Sequence, residues 1–194
     1  MKHHKFLCLG LVAGILFSVC QAEEPIETIA FGSCLKQTRP QPIWASVRAG
    51  KPDVFVLLGD NIYGDTRDME KLKGKWDTFD AFPEFKKLRA DSRLLAIWDD
   101  HDYGENDAGR EFPKKAESQK LFLDFLGEPK GTQRRKTPGI YDSVTIGPKG
   151  KRVQFILLDT RYFRSALKRA PKREKGKGPY GPNDSDKAEI LGEA

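Results

Sequence analysis

The sequence has 194 residues and a formal net charge of +6 at pH 7, which is enough chain for one domain with a core of ordinary size. Without Lys2 and Lys5, which belong to the leader described below, 34 basic residues become 32 against 28 acidic ones, a net charge of +4. Most of this small excess lies in one loop near the C-terminus, a distribution that argues against a specific nucleic-acid partner.

The first 22 residues have the pattern of a signal peptide. Lys2 and Lys5 precede an apolar run over 6–19, and the small residues Cys20 and Ala22 lie just before Glu23. This run is shorter than the roughly 18 apolar residues that a membrane span requires. We therefore expect export to the periplasm or the extracellular space without stable membrane insertion, and one domain over residues 23–194.

Cleavage of the leader would remove Cys8 and Cys20 and leave Cys34 as the one cysteine of the exported chain. An internal disulfide would then have no second partner. Two interpretations of Cys34 remain at this stage. It is either a small buried apolar residue or a thiol retained for reactivity or metal binding.

Four apolar runs, over 28–31, 54–58, 94–98 and 155–158, predict strands that are buried on both faces. Each run is followed by residues that can hold a metal or a phosphate group. In open α/β sheets, ligands collect outside the carboxyl ends of the strands. The repeated pattern therefore predicts a functional site at that edge of a sheet.

Apolar residues at helical spacing predict helices over 42–49, 79–89 and 114–126. Alternation over 141–146, followed by Gly147-Pro148-Lys149-Gly150, predicts a hairpin with the strand over 152–158. The order of these elements predicts an α/β fold with a layered, mixed β-sheet flanked by helices.

The C-terminal part has a different character. Seven basic residues between Arg164 and Lys177, interrupted by Pro and Gly, predict a loop. Asp186 and Glu189 have the spacing of a capping box, which predicts a helix through residues 190–191. Because such a helix would bury little before Ala194, we expect the domain to be truncated at its C-terminus.

Two segments carry the strongest chemical signals. Asp60 follows a predicted strand and Gly59, so its two carboxylate oxygens are placed to bridge hard metal ions. In Trp98-Asp99-Asp100-His101-Asp102, carboxylates flank a histidine, and such a density of negative charge is costly without a cation. His101 then serves either as a metal ligand or as the acid that protonates a leaving alkoxide. The competing interpretation is an acidic surface turn.

Four motifs follow the predicted strands. In chain order they are Phe31-Gly32-Ser33-Cys34, Gly59-Asp60-Asn61-Ile62-Tyr63, Trp98-Asp99-Asp100-His101-Asp102 and Leu158-Asp159-Thr160-Arg161. Together these motifs resemble those of the PhoD-like alkaline phosphatases, over roughly residues 28–163. The resemblance implies a partial metallophosphatase fold of the calcineurin-like sandwich type, hydrolysis of phosphate mono- or diesters, and ferric iron and calcium as cofactors.

The same resemblance implies roles for individual residues. His101 would be the general acid, Asp102 would orient it, and Arg161 would contact the phosphate group. Iron would be bound through Cys34 and Tyr63. The full set of metal ligands implied is Cys34, Asp60, Tyr63, Asp100 and Asp159.

The sequence departs from the family pattern in one respect. His101 is the one histidine in residues 23–194, whereas calcineurin-like enzymes take further ligands, usually histidines, from a later half of the chain. We therefore expect an incomplete enzyme for small-molecule phosphate esters, with a non-catalytic secreted metal- or anion-binding protein as the alternative. A mononuclear iron oxygenase would need a second histidine.

Overall fold

A computed structural model describes residues 24–172, 175 and 178–192. The predicted signal peptide, residues 1–22, lies outside the described residues. The described strands are β1 (Ile29–Gly32), β2 (Val54–Leu58), β3 (Arg93–Ile97), β4 (Asp142–Ile146) and β5 (Val153–Leu157). The described α-helices are α1 (Ile43–Ala49), α2 (Met69–Asp80), α3 (Pro83–Asp91), α4 (Asp100–Tyr103) and α5 (Lys115–Leu126).

The first three strands form a parallel sheet with β2 in the centre. β2 consists only of Val, Phe and Leu, and its first four residues are buried, as expected for a strand that is covered on both faces. β1 is one of the two edge strands and alternates between exposed and half-buried residues. Because the strands are parallel, their carboxyl ends meet at one edge of the sheet.

Helices cover one face of the parallel sheet. α1 packs against α3, and α2 packs against α5. Phe79 stacks on Phe85 with ring centroids 4.3 Å apart, and Trp76 stacks on Phe125 at 4.5 Å. These four side chains share a buried cluster with Phe55 from β2, so an aromatic core joins the helices to the sheet.

The predicted hairpin is confirmed, since β4 and β5 pair antiparallel. Ile146 and Leu157 of the hairpin pack against Val54, Val56 and Leu95 on the other face of the parallel sheet. The hairpin stacks on this face rather than joining its edge, because one side of each hairpin strand is apolar. The α/β class with helix-flanked sheet is confirmed, while the parallel and antiparallel pairings lie in two sheets rather than one.

The single helix predicted over 79–89 is divided in two. α2 ends at Asp80, and α3 begins at Pro83. Proline disfavours helical geometry at the residue before it and is well suited to the first helical position. Phe82 is accordingly extended, with ψ of 121°.

The helix predicted after Asp186 is absent from the described residues, where 186–187 form a turn. Glu189 does not cap a helix. Its N–H donates to Ser165 Oγ at 3.0 Å, and its carboxylate pairs with Arg110 at 3.1 Å. Ile190 is 60% exposed, so no packing of an apolar face favours a helix here.

Burial of the strands also departs from the prediction that all four apolar runs are covered on both faces. Phe31 in β1 is 69% exposed and Ile156 in β5 is 68% exposed. β1 contributes no residue to the cluster between the hairpin and the parallel sheet, and Ile156 lies on the outer face of the hairpin. Among the described helices, none combines the length and the apolar character needed to cross a bilayer.

Candidate metal centre

Three polar segments meet at the carboxyl edge of the parallel sheet, because the strands before them are neighbours. β1 leads to Cys34, β2 leads to Asp60, and β3 leads to the segment 99–102. The Cys34 N–H donates to the Gly59 carbonyl at 3.3 Å, and the Leu35 N–H donates to the Asp60 carbonyl at 2.8 Å. These bonds hold the loops after β1 and β2 side by side.

Asp60, Asp100 and His101 are side chains that commonly bind metals, and they lie close together; we call them the Asp60 group. One ligand atom from each residue lies within 4.8 Å of the others. Asp60 Oδ1 is buried and has no hydrogen-bond partner among the described residues, which is unfavourable unless something positive contacts it. Two carboxylates and an imidazole are ligands that metal ions accept. The residues present therefore fit a metal ion.

The backbone at the end of β2 permits this close approach. Gly59 has a φ of +99°, and a Cβ at this position would lie 2.7 Å from the Cβ of Asp99. Asp60 itself has a φ of 50°, a conformation that is uncommon for residues other than glycine and that occurs often at functional sites. The turn thus brings Asp60 next to the segment that follows β3.

The two carboxylates of the group have opposite pKa shifts. Burial raises the pKa of Asp60, and the negative charge of Asp100 raises it further. Burial acts in the same direction on Asp100, but a 2.7 Å hydrogen bond from the Asp107 N–H and the charge of Arg161 outweigh it and lower the pKa of Asp100. A bound cation would offset the mutual repulsion and keep both carboxylates ionised.

His101 is held between Asp65 and Tyr63. Its Nδ1 lies 2.7 Å from Asp65 Oδ1, and its ring packs against the Tyr63 ring with centroids 4.3 Å apart and planes tilted by 33°. Burial disfavours the protonated imidazole, but the hydrogen bond and charge of Asp65 outweigh it and raise the pKa of His101 above its ordinary value. Because Asp65 engages Nδ1, Nε2 is the ring nitrogen that remains to face a metal ion or a leaving group.

Asp102, predicted to orient His101, has a different structural role. Its side chain is 0% exposed. Oδ2 accepts hydrogen bonds from the Asn61 N–H at 3.0 Å and the Asn61 amide at 2.5 Å, and Oδ1 accepts from the Asp99 N–H at 2.6 Å. Asp102 joins the loops after β2 and β3, whereas the carboxylate that contacts the His101 ring belongs to Asp65, a residue that sequence reasoning missed. The available signal was a second carboxylate in the loop that contains Asp60.

We expect Asp65→Asn to lower the pKa of His101, because the substitution removes the charge that favours the protonated imidazole. His101 is the one histidine in residues 23–194, so its NMR resonances in metal-free protein titrate without overlap. The control is Asp77→Asn, at an α2 carboxylate that is 61% exposed, which should leave the titration midpoint unchanged. An unchanged midpoint in Asp65→Asn would contradict the Asp65–His101 interaction.

Asp159, predicted to be a metal ligand, lies outside the group of Asp60, Asp100 and His101. Asp159 is 2% exposed, and both of its oxygens accept hydrogen bonds. The donors, each at 2.9 Å, are Trp98 Nε1 and the N–H groups of Ile140, Arg161 and Tyr162. Asp159 thus ties the end of β5 to the residue that follows β3.

Arg161 lies beside the Asp60 group. Its Nε and Nη2 are both 2.5 Å from Asp99 Oδ1, and Nη2 is 3.8 Å from Asp100 Oδ1. The Arg161 side chain is only 16% exposed. Asp99, to which the sequence assigned no role, therefore holds a guanidinium group next to the candidate ligands.

Cys34 and Tyr63 adjoin Asp60 without belonging to the group of three. Cys34 is exposed, which excludes the interpretation of a buried apolar residue, and its Sγ lies 3.6 Å from Asp60 Oδ2. Burial raises the pKa of Tyr63, and the negative charge of Asp60 contributes in the same direction. Both side chains therefore border the Asp60 carboxylate.

This fold and this centre define an α/β protein with a candidate metal site at the carboxyl ends of parallel strands. One solved structure, described as the structure of PhoD, matches the chain with a TM-score of 0.59 and 18% sequence identity. The match covers 75% of this chain and 33% of that chain. The chain therefore has the fold of part of PhoD, as its motifs predict, and spans about a third of that structure. No protein-family profile and no curated protein sequence matches it.

Proposed function

We propose that this chain contributes part of the active centre of a metal-dependent hydrolase of phosphate mono- or diesters. The observation that carries the proposal is the group of Asp60, Asp100 and His101, with ligand atoms within 4.8 Å of one another and one buried, unpartnered oxygen on Asp60. The PhoD-like fold supports the same class of chemistry. The chain spans about a third of the PhoD structure. Hydrolysis by a whole enzyme is therefore itself a proposal.

The residues of the site have separate tasks in this proposal. A metal ion bound by Asp60 and Asp100 would supply Lewis acidity and an activated hydroxide at neutral pH. His101 would donate a proton from Nε2 to the leaving alkoxide, while Asp65 holds Nδ1 and favours the protonated ring. Arg161 would contact the phosphate oxygens and balance their charge.

We propose ferric iron and calcium as the metals. Carboxylates and a phenolate are hard ligands that suit these ions. Cys34 and Tyr63, which border Asp60, would complete the iron side of the centre. Asp159 is left out of the ligand set, because N–H donors occupy both of its oxygens.

We also propose that the protein acts outside the cytoplasm, after cleavage of residues 1–22. The basic, then apolar, then small-residue pattern of this segment supports export. Its partner would be a small-molecule phosphate ester rather than a nucleic acid, since the net charge of the exported chain is small.

A non-catalytic metal- or anion-binding protein is the alternative. It is favoured by the presence of one histidine in residues 23–194. Such a protein would bind its ion through Asp60 and Asp100 without turnover.

Metal content and hydrolysis, measured together, test the proposal. Elemental analysis of residues 23–194 would be combined with assays on p-nitrophenyl phosphate and bis(p-nitrophenyl) phosphate, with Asp60→Ala as the test variant and Asp77→Ala as the control. We expect bound metal that Asp60→Ala loses and Asp77→Ala retains. Turnover by the metal-bound chain supports the hydrolase, and metal without turnover supports the alternative. A folded chain that binds no metal contradicts the proposed centre.

A further inference from the structure

Two side chains outside the candidate ligand set hold the backbone of Tyr63. Gln37 is 3% exposed; its Oε1 accepts from the Tyr63 N–H at 2.9 Å, and its Nε2 donates to the Tyr63 carbonyl at 3.3 Å. Lys75 Nζ donates to the same carbonyl at 3.1 Å and to the Gly64 carbonyl at 2.5 Å. We refer to Gln37 and Lys75 as the Tyr63 clamp.

The contacts of Lys75 differ from those of the neighbouring lysines on α2. Lys71 and Lys73 pair with carboxylates of the same helix region, whereas the Lys75 ammonium donates to two main-chain carbonyls. Hydrogen bonds from a charged donor are shorter and stronger than those between neutral groups. Gln37 adds both a donor and an acceptor, in the way that a paired strand would. The clamp therefore anchors the loop that contains Tyr63 and Gly64, the Tyr63 loop, to α2 and to the loop after β1.

The opposite side of the same loop contacts His101. The Gly64 N–H donates to the His101 carbonyl at 2.9 Å, and the Tyr63 ring packs against the imidazole with centroids 4.3 Å apart. A displacement of the Tyr63 backbone would therefore move the surface against which His101 packs. His101 is itself a member of the group with Asp60 and Asp100.

We propose that Gln37 and Lys75 are positioning residues that hold Tyr63, a ligand of the proposed centre, against His101 and thereby set the metal affinity of the centre at Asp60. The inference rests on the metal centre of the proposed function. Neither residue supplies a ligand atom; each acts through the backbone of the Tyr63 loop. Substitution of residues that orient metal ligands typically weakens metal binding by about 10- to 100-fold.

The first measurement is the affinity for Mn²⁺, titrated by electron paramagnetic resonance into residues 23–194. We expect Gln37→Leu and Lys75→Met to raise the dissociation constant about tenfold. Lys75→Arg keeps charged donors and should restore most of the affinity. Lys73→Met, a control that removes an exposed lysine from the same helix, should change nothing.

The second measurement is the NMR contact between the Tyr63 and His101 rings in the metal-free protein. Gln37→Leu and Lys75→Met should weaken this contact, and Lys75→Arg should retain it. If the unmodified chain binds no Mn²⁺, the proposed metal centre fails, and the ring contact still decides the clamp. Unchanged ring contacts in the clamp variants, or an equal loss of affinity in Lys73→Met, would overturn the inference. If Gln37→Leu does not fold, the two Lys75 variants decide.

Discussion

Asp102→Ala is expected to lower the free energy of unfolding by about 3 kcal/mol or more, because it leaves buried donors without an acceptor. The Asp102 carboxylate accepts hydrogen bonds from the main-chain N–H groups of Asn61 and Asp99 and from the Asn61 amide. Each buried donor left unpaired costs about 1–3 kcal/mol. The bond from the Asp99 N–H is one half of the capping box that Asp99 and Asp102 form at the start of α4.

Chemical denaturation followed by circular dichroism measures this loss. The control is Asp77→Ala, which removes an exposed ion pair with Lys73 on α2 and should have a small effect. Asp102→Asn keeps the volume and one acceptor oxygen, so we expect an intermediate loss. If Asp102 instead served to orient His101, Asp102→Ala would shift the His101 titration and leave the stability close to that of Asp77→Ala.

The strands and the edge that carries the centre could be predicted from local sequence. The apolar run over 54–58 coincides with β2, since an uninterrupted apolar run that ends in Gly-Asp leaves few alternatives to a buried strand. Helices between successive strands imply parallel pairing, and parallel pairing brings strand ends together. The proximity of Asp60 to Asp100 and His101 follows from these steps.

The partner of His101 could not be predicted in the same way. Consecutive residues of a helix point in directions about 100° apart, and α4 begins at Asp100. Asp102 is therefore turned into the protein, while His101 faces the Asp60 loop. Adjacency in the sequence suggested Asp102, whereas the observed contact, to Asp65, depends on how that loop packs against α4.

Asp159 shows a second limit of strand-end patterns. An aspartate after a strand can bind a metal, or it can accept hydrogen bonds from N–H groups in the turn that follows. The sequence is the same in both cases, and only the three-dimensional contacts show that the carboxylate is occupied. The break before α3, in contrast, was predictable from Pro83, because proline marks a helix start more strongly than apolar spacing marks continuity.

Gly64→Ala is expected to separate the Tyr63 loop from α4 and to cost about 1–3 kcal/mol of folding free energy through overpacking. A Cβ on Gly64 would lie 2.5 Å from the His101 carbonyl oxygen and 2.5 Å from Leu72 Cδ1. The leucine side chain is fully buried, and the carbonyl belongs to the backbone of α4, so neither neighbour yields at low cost. The hydrogen bond from the Gly64 N–H to His101 would be lost as the loop moves.

Gly74→Ala provides the matched control, because a Cβ on this α2 glycine meets nothing within 4 Å. Alanine is favoured over glycine inside a helix by about 0.5–1 kcal/mol, so this variant should be more stable than the unmodified chain. Thermal unfolding and Mn²⁺ titration of both variants separate the effects. Gly64→Ala should lose stability and metal affinity together, since the same loop supports the core at Leu72 and the ring packing at His101. If Gly64→Ala is destabilised but keeps its full affinity for Mn²⁺, Tyr63 and His101 hold their positions without the close contact at Gly64.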